Sequence, residues 1–528
     1  MVKSTLKSLG RSSNSLHEAY DGAIKRMNAQ LPEDRALARR ALSWITYAQR
    51  PLTTIELLHA LAVSIGDTCL DRDKLLDIDD VILVCVGLVA VDERSDIIRL
   101  VHYTAQEYFQ QMQEALSPDA LNDIASTCLT YLLFKPFRAG HCLRDFELEY
   151  RLGKNPFLDY AAHFWSQHAQ MVQDQQVQDL ATSFLENSCA VASAVQVVSV
   201  PESRYKFKNY SQRKVPRGLE GLHVTAMLGL LNLSRILLSR PECSINTKDT
   251  QGRTPLSWAS GNGHQAVVHL LIEAGADLNA QKLEGMTALH EASKNGHEAV
   301  VRRLLDANAQ VDMKDRDGTT ALHMATENGH EAVVKMLLDA RAQVNIRDQK
   351  DYTALSIAVH QRHTAIVELL LDARADVYSM SYISDPPLYI ATSEGYEDIV
   401  RLLLDAGADV EGTACTGDTP LQDAVYQGRE DIVDMLLEAG AHIDARGYNG
   451  DTPLTIAAKN RDEDMVQLLL AAGAELDDED LLDGLEINLD DGSHSQIDWD
   501  EYYYYEAMYD EQREAYLLEG GFSEPKPI

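Results

Sequence analysis

The second half of the chain is built from one short unit that recurs every 33 residues. The recurring phrases are TPLSWA, TALHEA, TALHMA, TALSIA, PPLYIA, TPLQDA and TPLTIA, which begin at Thr254, Thr287, Thr320, Thr353, Pro386, Thr419 and Thr452. A weaker eighth copy lies upstream, with Leu222 placed 34 residues before Leu256. A fixed period of this length indicates stacked units, each of which needs its neighbours to bury its apolar face.

Each unit predicts two short helices. Threonine is a favourable N-cap and proline suits the first helical position, so Thr254 precedes an inner helix that carries Leu256 and Ala259 inward. Gly263 ends this helix, and a more apolar helix follows until Gly275 supplies a left-handed stop. Neither helix is long enough to be stable alone, so the units should fold as a stack.

The period and the T-P-L-H-x-A phrase resemble the ankyrin repeat, in seven in-register copies that cover about half of the chain. The resemblance implies an extended concave binding face, made by the hairpin tips and the exposed side of the inner helices. Three arginines depart from the pattern. Arg341 and Arg374 replace the glycine that ends the second helix, and Arg362 replaces the mid-unit glycine. A left-handed conformation at the first two would cost about 1 kcal/mol each.

The front of the chain predicts a leading helix and then three helices followed by a hairpin, the order of a winged helix. Apolar spacing predicts helices over residues 14–31 and 33–48, and Thr53 or Thr54 caps a third. A further helical run lies near 75–86, before two β-rich runs around a polar turn at 93–96.

Several strings in this region resemble the winged-helix segment of fungal NLR-like proteins of the STAND class: ARRALSWITYAQRPLTTIELLHALAV, VILVCVGLVAVDERSDIIRLVHYTAQEYF and CLTYLLFKPF. NPFLDYAAHFWSQHA resembles the helical connector that follows this segment in that family. The resemblance implies that His102 occupies the position of a nucleotide-contacting histidine. No P-loop is found, so we expect the NACHT nucleotide-binding module to be absent and His102 to be a relic of that contact.

Neither catalysis nor a metal or cofactor site is indicated by the sequence. No HExxH, GxSxG, Rossmann or EF-hand motif occurs, and the seven cysteines include no CxxC pair. The formal charge of −35 argues against nucleic acid or an anionic membrane as the main partner. The longest apolar run, 81–91, is too short to span a bilayer. We therefore expect a non-enzymatic protein, cytoplasmic and possibly nuclear, with no catalytic, metal or cofactor-binding residues.

The last segment, from Glu475, differs in composition, with 18 acidic residues against two basic ones and six interleaved tyrosines. Acidic low-complexity sequence of this kind favours disorder, although a cap on the last repeat and a docking motif stay open. The predicted architecture is mostly α, with about eight repeats. Its four parts are a leading helix and winged-helix domain (1–115), a helical connector (116–215), ankyrin repeats (216–475) and the acidic tail (476–528).

The favoured function is a protein–protein interaction scaffold that uses the concave face of the repeats. Two alternatives remain: a truncated NLR-like signalling receptor fragment, and a nuclear ankyrin regulator with an acidic activation-type tail. The nuclear regulator is less favoured, because the aspartates of residues 71–86, where a DNA-contacting helix would lie, would be repelled by DNA phosphates. Large side chains at tip and inner-helix positions, typical of interface hot spots, nominate a partner-binding set: Tyr352, His360, Tyr382, Ile383, Tyr426 and Tyr448.

Overall fold

The computed structural model describes residues 13–111, 119–200, 216–378, 385–414 and 417–475. The chain divides into two compact units, Met1–Gln310 and Val311–Ile528. Apart from one small sheet in the first unit, the regular structure of the described residues is helical, which confirms the predicted fold class. The predicted tail, 476–528, lies outside these residues.

The first unit begins with the winged helix and the connector. Its described elements are α1 (Ser13–Asn28), α2 (Pro32–Tyr47), β1 (Leu52–Thr53), α3 (Thr54–Ala62), α4 (Ile78–Val84), β2 (Val89–Asp92), β3 (Ile97–Leu100), α5 (Tyr103–Gln111), α6 (Ala120–Leu132), α7 (Asp145–Lys154), α8 (Phe157–Gln170), α9 (Gln175–Glu186) and α10 (Ser188–Val198), with 3₁₀ turns at Arg72–Lys74 and Lys135–Ala139. Three pairs of repeat helices complete it: α11 (Gly221–Leu228), α12 (Leu231–Leu238), α13 (Pro255–Gly261), α14 (Gln265–Glu273), α15 (Ala288–Lys294) and α16 (Glu298–Asp306).

The second unit continues the pattern with five helix pairs. They are α17 (Ala321–Glu327) and α18 (Glu331–Asp339), α19 (Ala354–His360) and α20 (Thr364–Asp372), α21 (Pro387–Glu394) and α22 (Glu397–Asp405), α23 (Pro420–Tyr426) and α24 (Glu430–Glu438), and α25 (Pro453–Asn460) and α26 (Glu463–Ala471). The inner helices begin directly after the threonine or proline of the phrase, as the capping chemistry predicts.

The sheet has the strand order β1-β3-β2, with β3 antiparallel to both neighbours. β2 and β3 form the predicted hairpin, in which Val89 faces Leu100 and Asp92 faces Ile97. Thr53 caps α3 through a capping box, because its hydroxyl accepts from the backbone N–H of Glu56.

An aromatic core joins the winged helix to the connector. The ring of Trp44 on α2 meets Phe157 edge-on at 5.4 Å and Tyr160 at 5.9 Å, both on α8. Arg50 adds an ion pair with Asp159 of the same helix at 3.1 Å. These contacts make the winged helix and the connector parts of one packed body.

Histidines at the 33-residue spacing hold neighbouring repeats together in the first unit. The ring of His297 lies over Gly263, which has φ +74°, and its Nε2 donates to the carbonyl of Gly261 at 3.0 Å. His264 covers Gly229 in the same way and donates to Met227. These histidines are scaffold residues, which explains their regular recurrence.

The arginines that replace glycine keep the left-handed conformation, with φ of +63° at Arg341, +55° at Arg362 and +61° at Arg374. Arg362 differs from the other two because its guanidinium lies 5.0 Å above the ring of Tyr396, the residue that stands where four other repeats have histidine. A cation–π contact of this kind offsets part of the backbone strain.

Replacing Arg341 or Arg374 by glycine should therefore raise the free energy of unfolding of the second unit by about 1 kcal/mol, because it removes left-handed strain. Arg362→Gly should gain clearly less, since it also loses the contact with Tyr396. Urea unfolding of the three variants followed by circular dichroism measures the difference. Equal gains at all three positions would show that the Arg362–Tyr396 contact contributes nothing.

Candidate protein-interaction surface

Two of the nominated residues form one aromatic pair in the second unit. The ring of Tyr352 meets that of His360, the last residue of α19, edge to face at 5.7 Å. Asp348 fixes the preceding turn, because its carboxylate accepts from the backbone N–H of Tyr352 at 2.8 Å. His360 is exposed and Tyr352 half-buried. The pair therefore joins a hairpin tip to an inner helix within one repeat.

Tyr426 and Tyr448 lie further along the second unit and are more exposed, at 64% and 82%. Tyr426 is the last residue of α23, and its carbonyl accepts from the side-chain amide of Asn460 on α25 at 3.2 Å. Tyr448 lies in the hairpin tip before α25, where its backbone N–H donates to Asp418 at 3.2 Å. Both side chains are available to a partner.

The remaining two nominated residues, Tyr382 and Ile383, lie outside the described residues. In the repeat between His360 and Tyr426, the equivalent inner-helix position holds Ser393. The four described residues thus form two aromatic sites, the Tyr352–His360 pair and the surroundings of Tyr426.

A cleft of about 230 Å³ opens beside Tyr426, between α23 and α25. Most of its lining residues have polar side chains, with three carboxylates against one ammonium group. The lining residues are Asp418, Gln422, Asp423, Tyr426, Gly447, Asn449, Asp451, Ile456, Lys459 and Asn460. We call this feature the acidic cleft.

The charges of the acidic cleft are unequally compensated. Lys459 pairs with Asp451 at 2.8 Å, whereas no ion pair joins Asp418 or Asp423 to any Lys or Arg of the described ranges. Burial, together with the nearby Asp418 carboxylate, raises the pKa of Asp423, although hydrogen bonds from Ser393, Tyr389 and Gln427 oppose the rise. The Oδ2 atom of Asp423 is buried and has no hydrogen-bond partner in the described structure.

Two basic side chains near the repeat tips of the first unit contact other groups of the same unit. The guanidinium of Arg253 lies 4.6 Å above the ring of Trp258, whose Nε1 donates to Asp249 at 3.2 Å. Lys282, 7% exposed, pairs with Glu284 at 2.8 Å and with Glu291 at 2.9 Å. Lys282 is thus held by two carboxylates, whereas Arg253 stacks on a ring and its Nε has no hydrogen-bond partner in the described structure.

Sequence reasoning nominated Tyr426 but missed the carboxylates beside it. A signal was present, because Asp385, Asp418 and Asp451 all stand directly before the repeat phrase, at 33-residue steps. Asp423 gave no such signal, since its exposure to the cleft depends on how α23 packs beside α25.

His102 lies at the start of α5, half-buried, with its Nδ1 2.8 Å from the hydroxyl of Thr104. Thr104 also bonds to the hydroxyl of Tyr20 at 2.7 Å. The proposed origin of His102 as a nucleotide contact stays a prediction.

In the described ranges, no group of three or more His, Cys, Asp or Glu side chains is placed to hold a metal ion. None of the helices described is long and apolar enough to cross a bilayer.

Models of ankyrin repeats match six overlapping segments that together span residues 193–480. The chain belongs to the ankyrin-repeat family. Ankyrin repeats are typically non-catalytic modules for protein–protein interaction. Residues 25–120 match a second family model, the winged helix domain of GPI inositol-deacylase, which agrees with the hairpin and helices found there.

The curated relatives share parts of this ankyrin-repeat protein. Azaphilone pigments biosynthesis cluster protein L of Monascus ruber is 28% identical over 297 residues, which are 50% of this chain and 60% of that protein. The 26S proteasome non-ATPase regulatory subunit 10 of Dictyostelium discoideum is 43% identical over 56 residues, 11% of this chain and 24% of the relative. The chain thus spans less than two thirds of either relative.

Solved ankyrin domains also align with the chain. The ankyrin repeat domain of Bcl-3 is 30% identical, with 42% of this chain and 99% of that chain covered and a TM-score of 0.39. The human ASB11 ankyrin repeat domain is 28% identical, with 43% and 100% covered and a TM-score of 0.37.

Proposed function

We propose that this ankyrin-repeat protein is a non-enzymatic scaffold that binds a protein partner on the concave face of its second unit. The observation that carries the proposal is the exposure of Tyr426, which lines the acidic cleft, and of Tyr448, which lies in the tip segment whose Gly447 and Asn449 line it. Exposed aromatic side chains next to a polar depression are the usual anchors of protein interfaces. The Tyr352–His360 pair would extend the same contact toward the preceding repeats.

The winged helix and connector support a relationship to NLR-like signalling proteins, in which such a body precedes a repeat array. The shared core of Trp44, Phe157 and Tyr160 would make the front end a rigid attachment for the repeats. A nuclear regulator that contacts DNA is less favoured, because Asp79 and Asp80 are exposed at the start of α4. The cytoplasm, with the nucleus as the alternative, remains our expected location.

Affinity capture with the full chain as bait tests the proposal. Tyr426→Ala and Tyr448→Ala should each weaken the main captured partner about tenfold or more, as truncation of interface aromatics does. Tyr378→Ala is the matched control: Tyr378 is also exposed, at 59%, but its hydroxyl donates to the carbonyl of Gly407 in the loop after α22. Quantitative mass spectrometry of the captured proteins gives the readout.

The control should capture the partner as the wild type does. Binding that survives both Tyr426→Ala and Tyr448→Ala, or that is lost equally in Tyr378→Ala, would place the interface elsewhere. Circular dichroism of each variant verifies that the repeats remain folded.

A further inference from the structure

We propose that Arg253 binds a carboxylate side chain of a protein partner, an aspartate or a glutamate that has an apolar residue beside it. The site lies in the first unit, at the repeat tip before α13, and is separate from the surface proposed for the second unit. Three observations carry the inference: the guanidinium is fixed against an aromatic ring, it has no ion-pair partner among the described residues, and an exposed leucine lies in the adjoining tip.

The turn before α13 holds Arg253 in one orientation. The carboxylate of Asp249 accepts from the backbone N–H groups of Gln251 and Arg253, both at 2.8 Å. Its second oxygen accepts from Nε1 of Trp258 at 3.2 Å, which fixes the indole. The guanidinium of Arg253 lies 4.6 Å above that ring. A guanidinium that is already stacked loses less conformational freedom when it binds an anion than one on an unrestrained side chain.

The positive charge of Arg253 is not neutralised by the described part of the chain. Its Nε is buried without a hydrogen-bond partner, and no ion pair joins the residue to a carboxylate of the described ranges. Neighbouring carboxylates are engaged elsewhere: Asp249 by the turn and the indole, and Glu284 by Lys282 at 2.8 Å. Arg253 is half-buried, so part of it remains open to solvent. A partner's carboxylate would therefore meet an oriented and unpaired donor group.

Leu283 supplies the apolar neighbour. Its side chain belongs to the next repeat tip and the residue is 56% exposed. The two tips touch, because the backbone N–H of Leu283 donates to the carbonyl of Gln251 at 2.8 Å, and a Cβ atom on Gly252 would lie 3.0 Å from the same nitrogen. A cation and an exposed leucine in adjoining tips fit a partner segment in which an acidic residue and an apolar residue lie close together.

The repeat scaffold does not require the Arg253–Trp258 pair. Among the seven phrases, arginine directly precedes the phrase only at 253, and tryptophan is its fifth residue only at 258. The other six repeats form the same helix pairs without either residue. The pair is therefore free to serve recognition.

A carboxylate fits this site better than a phosphate. Arg253 is the single uncompensated cation of the two tips, since Lys282 already pairs with Glu284 at 2.8 Å and with Glu291 at 2.9 Å. A phosphate group carries nearly two negative charges at neutral pH, and Asp249 and Glu284 would repel the second charge. A carboxylate carries one charge and matches the guanidinium with two parallel hydrogen bonds.

A positional-scanning library of nonapeptides, screened on the immobilised full chain, tests the inference. We expect glutamate or aspartate to be enriched at one position about tenfold over glutamine, and phosphoserine less, from the strength of charge-assisted hydrogen bonds. Arg253→Gln should reduce this preference to near unity, and Arg253→Lys should keep only part of it, because lysine lacks the planar donor group. Arg302→Gln, the same charge change at an exposed position of α16, should leave the preference intact.

A selective loss of the acidic preference in Arg253→Gln, with the helix content of the wild type by circular dichroism, supports the inference. Three results would overturn it: no acidic enrichment, a preference lost equally in Arg302→Gln, or phosphoserine enriched above glutamate. An acidic preference that persists in Arg253→Gln but disappears in Tyr426→Ala would also overturn it, because the acidic residue would then bind in the second unit. None of these results depends on whether the proposed surface of the second unit captures its partner.

Discussion

Replacing Gly221 by alanine should lower the free energy of unfolding of the first unit by about 3 kcal/mol, the upper range for overpacking a buried contact. Gly221 is the first residue of α11, and a Cβ atom there would lie 2.7 Å from the carbonyl oxygen of Leu185 and 2.9 Å from its Cβ. The obstacle is partly backbone at the end of α9, so it cannot rotate away. The connector and the first repeat would have to separate.

Gly153→Ala is the matched control, because Gly153 also lies in a helix of the first unit and has no atom within 4 Å of the added Cβ. Alanine is favoured over glycine in helices, so this variant should be unchanged or stabilised by up to about 1 kcal/mol. Urea unfolding of the full chain followed by circular dichroism measures both effects. A Gly221→Ala variant as stable as the wild type would mean that α11 does not pack closely on the connector.

The sequence predicted the repeats almost completely, because each helix boundary is set locally. Thr254 begins its helix through a cap, and Gly263 and Gly275 end theirs through left-handed conformations with φ of +74° and +87°. The winged helix was equally accessible, since Thr53 and the turn at 93–96 are also local signals. When the same local signals recur at a fixed period, few other folds are compatible with the sequence.

The candidate site was predictable only in part. Exposed tyrosines at repeat positions could be named from spacing, and Tyr426 is indeed exposed. The acidic cleft was not foreseen, because it depends on how α23 packs beside α25 and on which side chains of the two helices and their tips line the space between them. The contact between Gly221 and Leu185 also joins residues far apart in sequence. Such features arise from packing between elements, which periodicity does not encode.

Acidification should destabilise the first unit through His168, which is fully buried on α8. Its Nε2 bonds to the hydroxyl of Tyr160 at 2.8 Å, while its Nδ1 is buried and has no hydrogen-bond partner in the described ranges. Burial lowers the pKa of His168 to about 4, because the imidazolium form would lose its hydration. In the unfolded chain the same group titrates near pH 6.5.

The sign of the effect follows from this difference in pKa. As the pH falls below about 6.5, the unfolded chain takes up a proton that the folded protein cannot bind, so stability decreases until the pH reaches about 4. The total loss from this residue is about 3 kcal/mol, at roughly 1.4 kcal/mol per pH unit. Burial also lowers the pKa of three other histidines in the same unit, His59, His141 and His223. Each of them makes the free energy of unfolding fall more steeply as the pH decreases.

His168→Gln should therefore flatten the pH dependence of stability by about one proton between pH 6.5 and 4, because glutamine keeps a polar group near Tyr160 but does not titrate. Val177→Ala is the control for general destabilisation: Val177 is 1% exposed on α9, and its truncation should lower stability equally at every pH. Urea midpoints measured at half-unit pH steps give the slope for each variant. If His168→Gln unfolds with the same pH dependence as the wild type, His168 does not remain neutral in the folded protein, and the acid sensitivity must come from the other buried histidines.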